Sequence, residues 1–140
     1  MIAVDTGVFL ALADRSDRWH PSAQRALETL NEGWVTTWPV ITEACHLLRK
    51  RLEPRAVLDL IDDVADGGIE LWSPSADHVA RLPALMRKYA SLPMDLADAS
   101  LVLLAEHLGH CRILSTDLRD FGAYRWKNRK PFRNLLELPR

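Results

Sequence analysis

Pro93-Met94-Asp95-Leu96-Ala97-Asp98-Ala99-Ser100-Leu101-Val102-Leu103-Leu104 decides how this chain folds, together with Arg112-Ile113-Leu114-Ser115-Thr116-Asp117 shortly after it. From Asp95 to Leu108 the chain reads as its strongest helix, closed by Gly109 and apolar nearly all round. A helix of that kind belongs inside a domain, not on its surface. Arg112 to Ser115 reads as a short strand that delivers Thr116-Asp117 at its end. A buried helix feeding a buried strand is the unit of an α/β fold around a mostly parallel sheet.

The rest of the chain keeps that alternation. Ile2-Ala3-Val4 is expected to form a buried first strand, ended by Asp5-Thr6-Gly7 and followed by a short helix from Val8 to Ala13. A second helix starts at His20-Pro21-Ser22 and runs to about Asn31. Trp34-Val35-Thr36 is a second strand, and Pro39 opens the next helix at its first position, where a missing N–H costs nothing. Glu53-Pro54 interrupts that helix, and Val57, Leu58, Ile61 and Val64 give another, completing a helical hairpin stopped by Asp66-Gly67-Gly68. Ile69-Glu70-Leu71-Trp72 is strand-like, and Ser73-Pro74-Ser75 caps a helix to about Tyr89. Leu135-Leu136-Glu137-Leu138 is expected to supply a last edge strand.

At 140 residues the chain suits one domain with a single core. A net charge of −1 excludes the global basic field that many nucleic-acid binders use. The charge is uneven, however: residues 112–140 hold eight Lys/Arg against three Asp/Glu, while the other 111 hold ten against sixteen. An acidic body with a basic tail suits a metal site beside a phosphate-binding edge. No apolar run approaches the roughly 20 residues that span a bilayer, so no membrane role is expected. The chain opens on Met1-Ile2-Ala3-Val4-Asp5 without a basic stretch before an apolar run, so no secretory signal is expected. Cys45 and Cys111 form no metal-spacing motif, and a reduced cytoplasm is the simplest setting.

Active sites of open α/β sheets form at the carboxyl ends of the strands. Asp5 follows the first strand, Asp117 the later one, and Glu43 lies one turn inside the helix after the second strand. Asp98 lies within the apolar helix, where an isolated charge would cost several kcal/mol or become neutral. A cation shared with the other carboxylates resolves that cost. Four carboxylates with no His or Cys among them is hard-cation chemistry, suited to Mg²⁺ or Mn²⁺ completed by water and phosphate. Each residue also has a structural reading: Asp5, Asp95 and Asp117 as helix or turn caps, Glu43 as a solvated helix residue, and Asp98 as a first-turn acid facing the helix dipole. Their coincidence at one edge is what favours a site.

With those residues assembled, the chain resembles the PIN-domain family, and within it the VapC-type toxins. The resemblance runs from Ile2-Ala3-Val4-Asp5-Thr6 to Thr116-Asp117-Leu118-Arg119-Asp120-Phe121 and is most specific over Met94-Asp95-Leu96-Ala97-Asp98-Ala99 and Ile113–Phe121. It implies that residues 1–140 form one PIN-like nuclease domain, a three-layer α/β/α fold. The family's acidic positions correspond to Asp5, Glu43, Asp98 and Asp117, and Ser115 stands where Thr is commoner. The resemblance also implies a Mg²⁺- or Mn²⁺-dependent endoribonuclease, often a homodimer, inhibited by a cognate antitoxin whose tail covers the active-site groove. In that reading Asp5, Asp98 and Asp117 hold the metal and Glu43 helps hold it or the attacking water. Thr6, Asp95, Ser115 and Asp120 stand close by as orienting groups. His20, in a His-Pro helix start, reads as structural.

The tail interleaves bases and aromatics: Arg119, Tyr124, Arg125, Trp126, Lys127, Arg129, Lys130, Phe132 and Arg133. Arg119, Arg125, Trp126, Lys127 and Arg129 are expected to contact RNA, by pairing with phosphates or stacking on unpaired bases. A solvated tail with aromatics packed on the core is the competing reading. The apolar stripe of the helical hairpin offers a groove to an antitoxin helix wherever it stays exposed. A phosphatase with an aspartyl nucleophile usually has a second Asp two residues after the first, and that position is Gly7. A phospho-receiver would want adjacent acids at a strand end and a later Lys. Two further alternatives are a PIN-like fold that only binds RNA or protein, which should lack a carboxylate, and a PIN nuclease of RNA processing.

Overall fold

The computed structural model describes all 140 residues. In chain order the elements are β1 (Ile2–Val4), α1 (Thr6–Ala13), α2 (His20–Thr29), β2 (Trp34–Thr37), α3 (Trp38–Arg51), α4 (Pro54–Ala65), β3 (Ile69–Trp72), α5 (Ala76–Lys88), α6 (Leu96–Leu108), β4 (Arg112–Leu114), α7 (Leu118–Ala123), β5 (Arg125–Trp126), β6 (Lys130–Pro131) and β7 (Arg133–Asn134). Every residue of β1 and β2 is buried, as a central parallel strand covered by helices on both faces requires. Five strands form one sheet in the order β3-β2-β1-β4-β7, with each neighbouring pair parallel. The remaining two, β5 and β6, pair as a small antiparallel hairpin. Helices flank the sheet in a PIN-like α/β/α arrangement.

The chain moves outward from β1 to β2 and β3, then returns to the other side of β1 with β4. Strand order therefore reverses between β1 and β4. In open parallel sheets that switch point opens a crevice at the carboxyl ends of the strands. Asp5 leaves the end of β1 there and Ser115 the end of β4, with the Asp5 N–H bonded to the Leu114 carbonyl at 3.0 Å.

Helix α6 is as buried as its composition demands: Leu101, Val102, Leu103 and Leu104, four successive residues covering every side, have no exposed surface. It ends at Gly109, whose φ of 74° is left-handed and suits a residue without a Cβ. One cluster of 33 buried apolar residues runs through both faces of the sheet. Two expectations move. Helix α1 starts at Thr6 rather than Val8, because Asp5 serves as its cap. The last edge strand is Arg133–Asn134, not Leu135–Leu138; only the Leu135 N–H continues the ladder, to the Ile113 carbonyl. The apolar pattern of 135–138 misleads, because one half of that segment, Leu136, packs into the core while Leu138 is 63% exposed.

Candidate active site

Asp5 is fixed by two hydrogen bonds at the switch point. Its Oδ1 accepts from the Thr6 N–H at 2.7 Å and its Oδ2 from the Ser115 hydroxyl at 2.8 Å. The Ser115 Oγ in turn accepts from the Asp117 N–H at 3.0 Å. One hydroxyl thus ties the acid after β1 to the acid after β4. Asn134 on β7 holds Ser115 from behind, its side chain accepting from the Ser115 N–H at 3.2 Å and donating to the Ser115 carbonyl at 2.7 Å.

Asp5, Asp95 and Asp117 each cap a helix, accepting from the N–H of Thr6, Asp98 and Asp120 respectively. The capping reading therefore holds for all three, and it leaves their other carboxylate oxygens open to a second role. Caps of three helices meet at one edge, and their dipoles partly offset the gathered negative charge. What remains shows in the ionisation of the acids. Burial pushes the Asp5 carboxyl up to about 6, with Glu43 and Asp117 adding to the rise. Burial likewise pushes Asp98 up to about 7, helped by the charges of Asp95 and Asp5. Glu43 rises through partial burial and the charge of Asp95, and Asp117 through burial and Asp120. Each of the four thus has its proton affinity raised, three of them in part by another of these acids or by Asp95.

As they lie, no three acidic, His or Cys groups stand close enough together to hold a metal ion. The carboxylates gather at the crevice of the switch point, where the charges of Asp5, Glu43, Asp95, Asp98 and Asp117 act on one another. Mg²⁺ keeps several waters in its shell, so carboxylates can share it through those waters without touching one another. Thr6 adds an independent sign: its Oγ1 is buried with no hydrogen-bond partner, the single such side-chain atom in the protein. The Glu43 carboxyl is near enough to feel that hydroxyl, which offsets part of its rise, but makes no well-formed hydrogen bond with it. A buried hydroxyl without a partner is costly unless a water or ligand satisfies it. All-oxygen donors, raised acids and an orphaned hydroxyl at one cleft fit a hard divalent cation with its water.

Asp120 is buried, and its Oδ1 accepts from Arg119 Nε at 3.0 Å. Arg119 Nη2 also donates to the Leu92 carbonyl at 3.0 Å, so a largely exposed guanidinium is held beside the cleft. Lys127 and Arg129 are exposed on the β5–β6 turn. Trp126 and Arg125 are more engaged with the protein itself than Lys127 and Arg129. Trp126 is 5% exposed, with its Nε1 donating to the Pro131 carbonyl, so its ring packs on the core and is not free to stack on a base. Its charge partners are Lys127 and Lys130, whose ammonium groups lie 5.5 and 4.9 Å from the ring centre. Arg125 spends its Nη1 on the carbonyls of Gly122, Ala123 and Tyr124.

Sequence reasoning passed over Trp38 and Asn134, and it placed Tyr124 only among the aromatics of the tail. Trp38, the first residue of α3, is 51% exposed at the carboxyl edge of the sheet. Asn134 gives no sequence signal, because its role depends on a strand pairing that local pattern does not encode. Tyr124 is fully buried and donates to Asp98 Oδ2 at 2.9 Å; its spacing of three from Phe121 on a short helix is the available hint. His20 is structural, its Nδ1 donating to the Ala11 carbonyl at 2.7 Å.

A parallel sheet with the order 3-2-1-4-7, carrying acids at its switch point, defines a class of α/β nuclease-like domains, and the comparisons make the class specific. The sequence model of the PIN domain matches residues 2–127, and this chain belongs to the PIN-domain family. It is similar to Ribonuclease VapC26 of Mycobacterium tuberculosis (strain ATCC 25618 / H37Rv), being 27% identical over 122 residues that cover 87% of this chain and 90% of that protein. In fold it is similar to the crystal structure of VapC20 of Mycobacterium tuberculosis, described as a toxin that cleaves the sarcin–ricin loop. That match has a TM-score of 0.78 at 19% identity, covering 85% of this chain and 92% of the other.

Proposed function

We propose that this chain is a divalent-cation-dependent endoribonuclease that hydrolyses RNA phosphodiester bonds as the toxin of a toxin–antitoxin pair. The observation that carries the reading is the gathering of Asp5, Glu43, Asp98 and Asp117 from different elements at the switch point. Ser115 ties Asp5 to Asp117, the unpartnered Thr6 hydroxyl faces the group, and the proton affinity of each acid is raised. Such a group is uncompensated until a cation arrives. The family, together with a relative named as a ribonuclease, supports the activity; the toxin description of the structural neighbour supports the role.

In this reading Asp5, Asp98 and Asp117 hold Mg²⁺ or Mn²⁺, and Glu43 helps hold the metal or the attacking water. The bound cation supplies electrostatic stabilisation of the charge that develops on the phosphodiester. Ser115 fixes Asp5 and the start of the Asp117 turn, while Asp95 and Asp120 orient their neighbours. Thr6 offers its free hydroxyl to a water or phosphate oxygen. Arg119, Lys127 and Arg129 meet the RNA backbone, and Trp38 stacks an unpaired base.

The antitoxin's helix is best accommodated on the opposite edge of the sheet, its tail remaining the segment expected to cover the active-site groove. A groove of about 890 Å³ is lined by Phe9, Leu27, Leu30, Leu52, Ala56 and Leu60 among others, with Glu32, Glu53, Asp59 and Asp63 also on its wall. An amphipathic antitoxin helix would lay its apolar face there. A homodimer is the assembly we infer from the family likeness. A reduced cytoplasm is the inferred setting, consistent with two free cysteines, and no helix is long and apolar enough to cross a membrane.

The test is induction in a bacterial host with genome-wide mapping of new RNA 5′ ends, beside Asp98→Asn. Discrete ends made by the wild type and missing with the variant are expected. Matching profiles from two folded, abundant proteins would point instead to a module that only binds RNA or protein.

A further inference from the structure

Tyr124 is the last residue of the turn that α7 makes, and nothing in its ring or backbone is free. Its backbone N–H donates to the Asp120 carbonyl at 2.8 Å. Tyr89 and Phe121 meet its ring edge-on, with centroids 5.0 and 5.1 Å away. A buried phenol needs a polar partner, and any nearby backbone carbonyl would serve. This one instead donates to a carboxylate, Asp98 Oδ2, at 2.9 Å. The other end of Asp98 is fixed as well, its N–H donating to Asp95 Oδ1 at 2.8 Å. Asp98 Oδ1 is left without a protein hydrogen bond and is not sealed from solvent.

We infer that Tyr124 is a positioning residue for Asp98: its phenol ties down one carboxylate oxygen and so presents the other to the cation. The inference rests on the metal reading of the cleft. A carboxylate on the first turn of a helix can swing about χ1 and χ2, and like-charge repulsion from Asp95 and Asp5 favours swinging it away. The phenol opposes that motion from a ring locked on two sides. Ser115 does the same for Asp5 from the opposite bank of the cleft. The two acids deepest in the site each have a neutral hydroxyl donor behind them, one from the strand end and one from the aromatic cluster. Outer hydrogen bonds of this kind commonly change metal affinity by about 10–100-fold.

The test is Mn²⁺ binding to the purified chain, followed calorimetrically and by paramagnetic resonance, in the wild type, Tyr124→Phe and Tyr89→Phe. Tyr124→Phe keeps the ring and removes only the donor to Asp98. Tyr89→Phe removes a hydroxyl from the same cluster, one that accepts the Arg125 N–H at 3.0 Å and touches no carboxylate. The expected result is a dissociation constant for Mn²⁺ raised about tenfold or more in Tyr124→Phe and unchanged in Tyr89→Phe, with both folded by near-ultraviolet circular dichroism. Should Tyr124→Phe lose its fold, Tyr124→Met is the second variant, keeping apolar volume without a donor, and the same loss is expected of it. Folded Tyr124 variants that bind Mn²⁺ as tightly as the wild type would overturn the inference, and so would an equal loss in Tyr89→Phe. A wild type that binds no Mn²⁺ would sink the metal reading itself, which is a different failure and takes this inference with it.

Discussion

Asp98 sits in the first turn of a helix whose middle is buried on every side, and its proton affinity reflects how poorly the protein alone accommodates its charge. Burial, then Asp95 and Asp5, push it up to about 7, and Asp5 stands at about 6. Both values lie above those of the unfolded chain, so the folded protein holds extra protons between about pH 4 and 7. Their contribution to stability is therefore complete below about pH 4 and is lost as the pH rises through 6 and 7. Without metal, the melting temperature should fall as the pH is raised across that window. With Mn²⁺ the fall should be smaller, because the cation binds only the ionised acids and its affinity rises with pH. Melting curves at pH 5 and 8, with and without Mn²⁺, check both signs. A metal-free protein that gains stability across the window would contradict them. The same logic makes Asp98→Asn at least as stable as the wild type without metal, while its activity falls by about 100-fold or more, the upper end of what even a supporting group costs. Trp38 gives a contrasting expectation. Half-exposed at the sheet edge, it should cost under ~0.5 kcal/mol when changed to Ala, yet raise KM for RNA about tenfold, as one lost base stack predicts.

Between elements, α1 approaches the turn between β4 and α7 closely at Gly7. A Cβ at Gly7 would run into the hydroxyl of Thr116 and lie 3.1 Å from its Cβ and 3.2 Å from its Cγ2. Rotating Thr116 about χ1 exchanges one clash for another, since the Cβ itself is too near. Ala is worth about 1 kcal/mol more than Gly inside a helix, but overpacking costs about 1–3 kcal/mol. Gly7→Ala should therefore destabilise, and it should lower activity too, because the displaced turn carries Ser115 and Asp117. Thr116→Gly should restore both, which a double-mutant cycle would read as strong coupling. An additive cycle would refute the contact. This scale also separates what sequence can reveal from what it cannot. The buried α6 and the acid after β1 are legible, because continuous apolar character and an Asp at a strand end are local signals. Asp5, Asp95 and Asp117 carry two readings in the sequence because each is in fact both a cap and a member of the acidic edge. Trp126 misleads because an aromatic between bases looks like a stacking surface until the β5–β6 hairpin folds it inward. Asn134 and the β7 pairing are out of reach, since a two-residue parallel edge strand has no pattern of its own.

Across the whole molecule, the proposed function divides between the two edges of one sheet. The carboxyl edge gathers the acids and Trp38, while the amino edge, where Gly33-Trp34 and Gly68-Ile69 begin their strands, forms the floor of the apolar groove. Regulation and chemistry should then be separable by mutation. Leu27 and Leu52, 52% and 39% exposed on the groove wall, can be changed to Lys at small cost in stability. Leu27→Lys with Leu52→Lys should cleave RNA as the wild type does and escape neutralisation by the antitoxin, with binding weakened at least about 100-fold by pull-down titration. Retained neutralisation would place the antitoxin elsewhere. Beneath all of this lies the claim that the acidic cleft is a cation-dependent ribonuclease site. The most direct test is cleavage of total bacterial RNA by the purified chain, with Mn²⁺ or Mg²⁺, with a chelator, and with Asp98→Asn in place of the wild type. Discrete new 5′ ends that appear only with cation and only with Asp98 present are the predicted result. Cleavage that survives the chelator, or that the folded Asp98→Asn protein matches, would contradict the account.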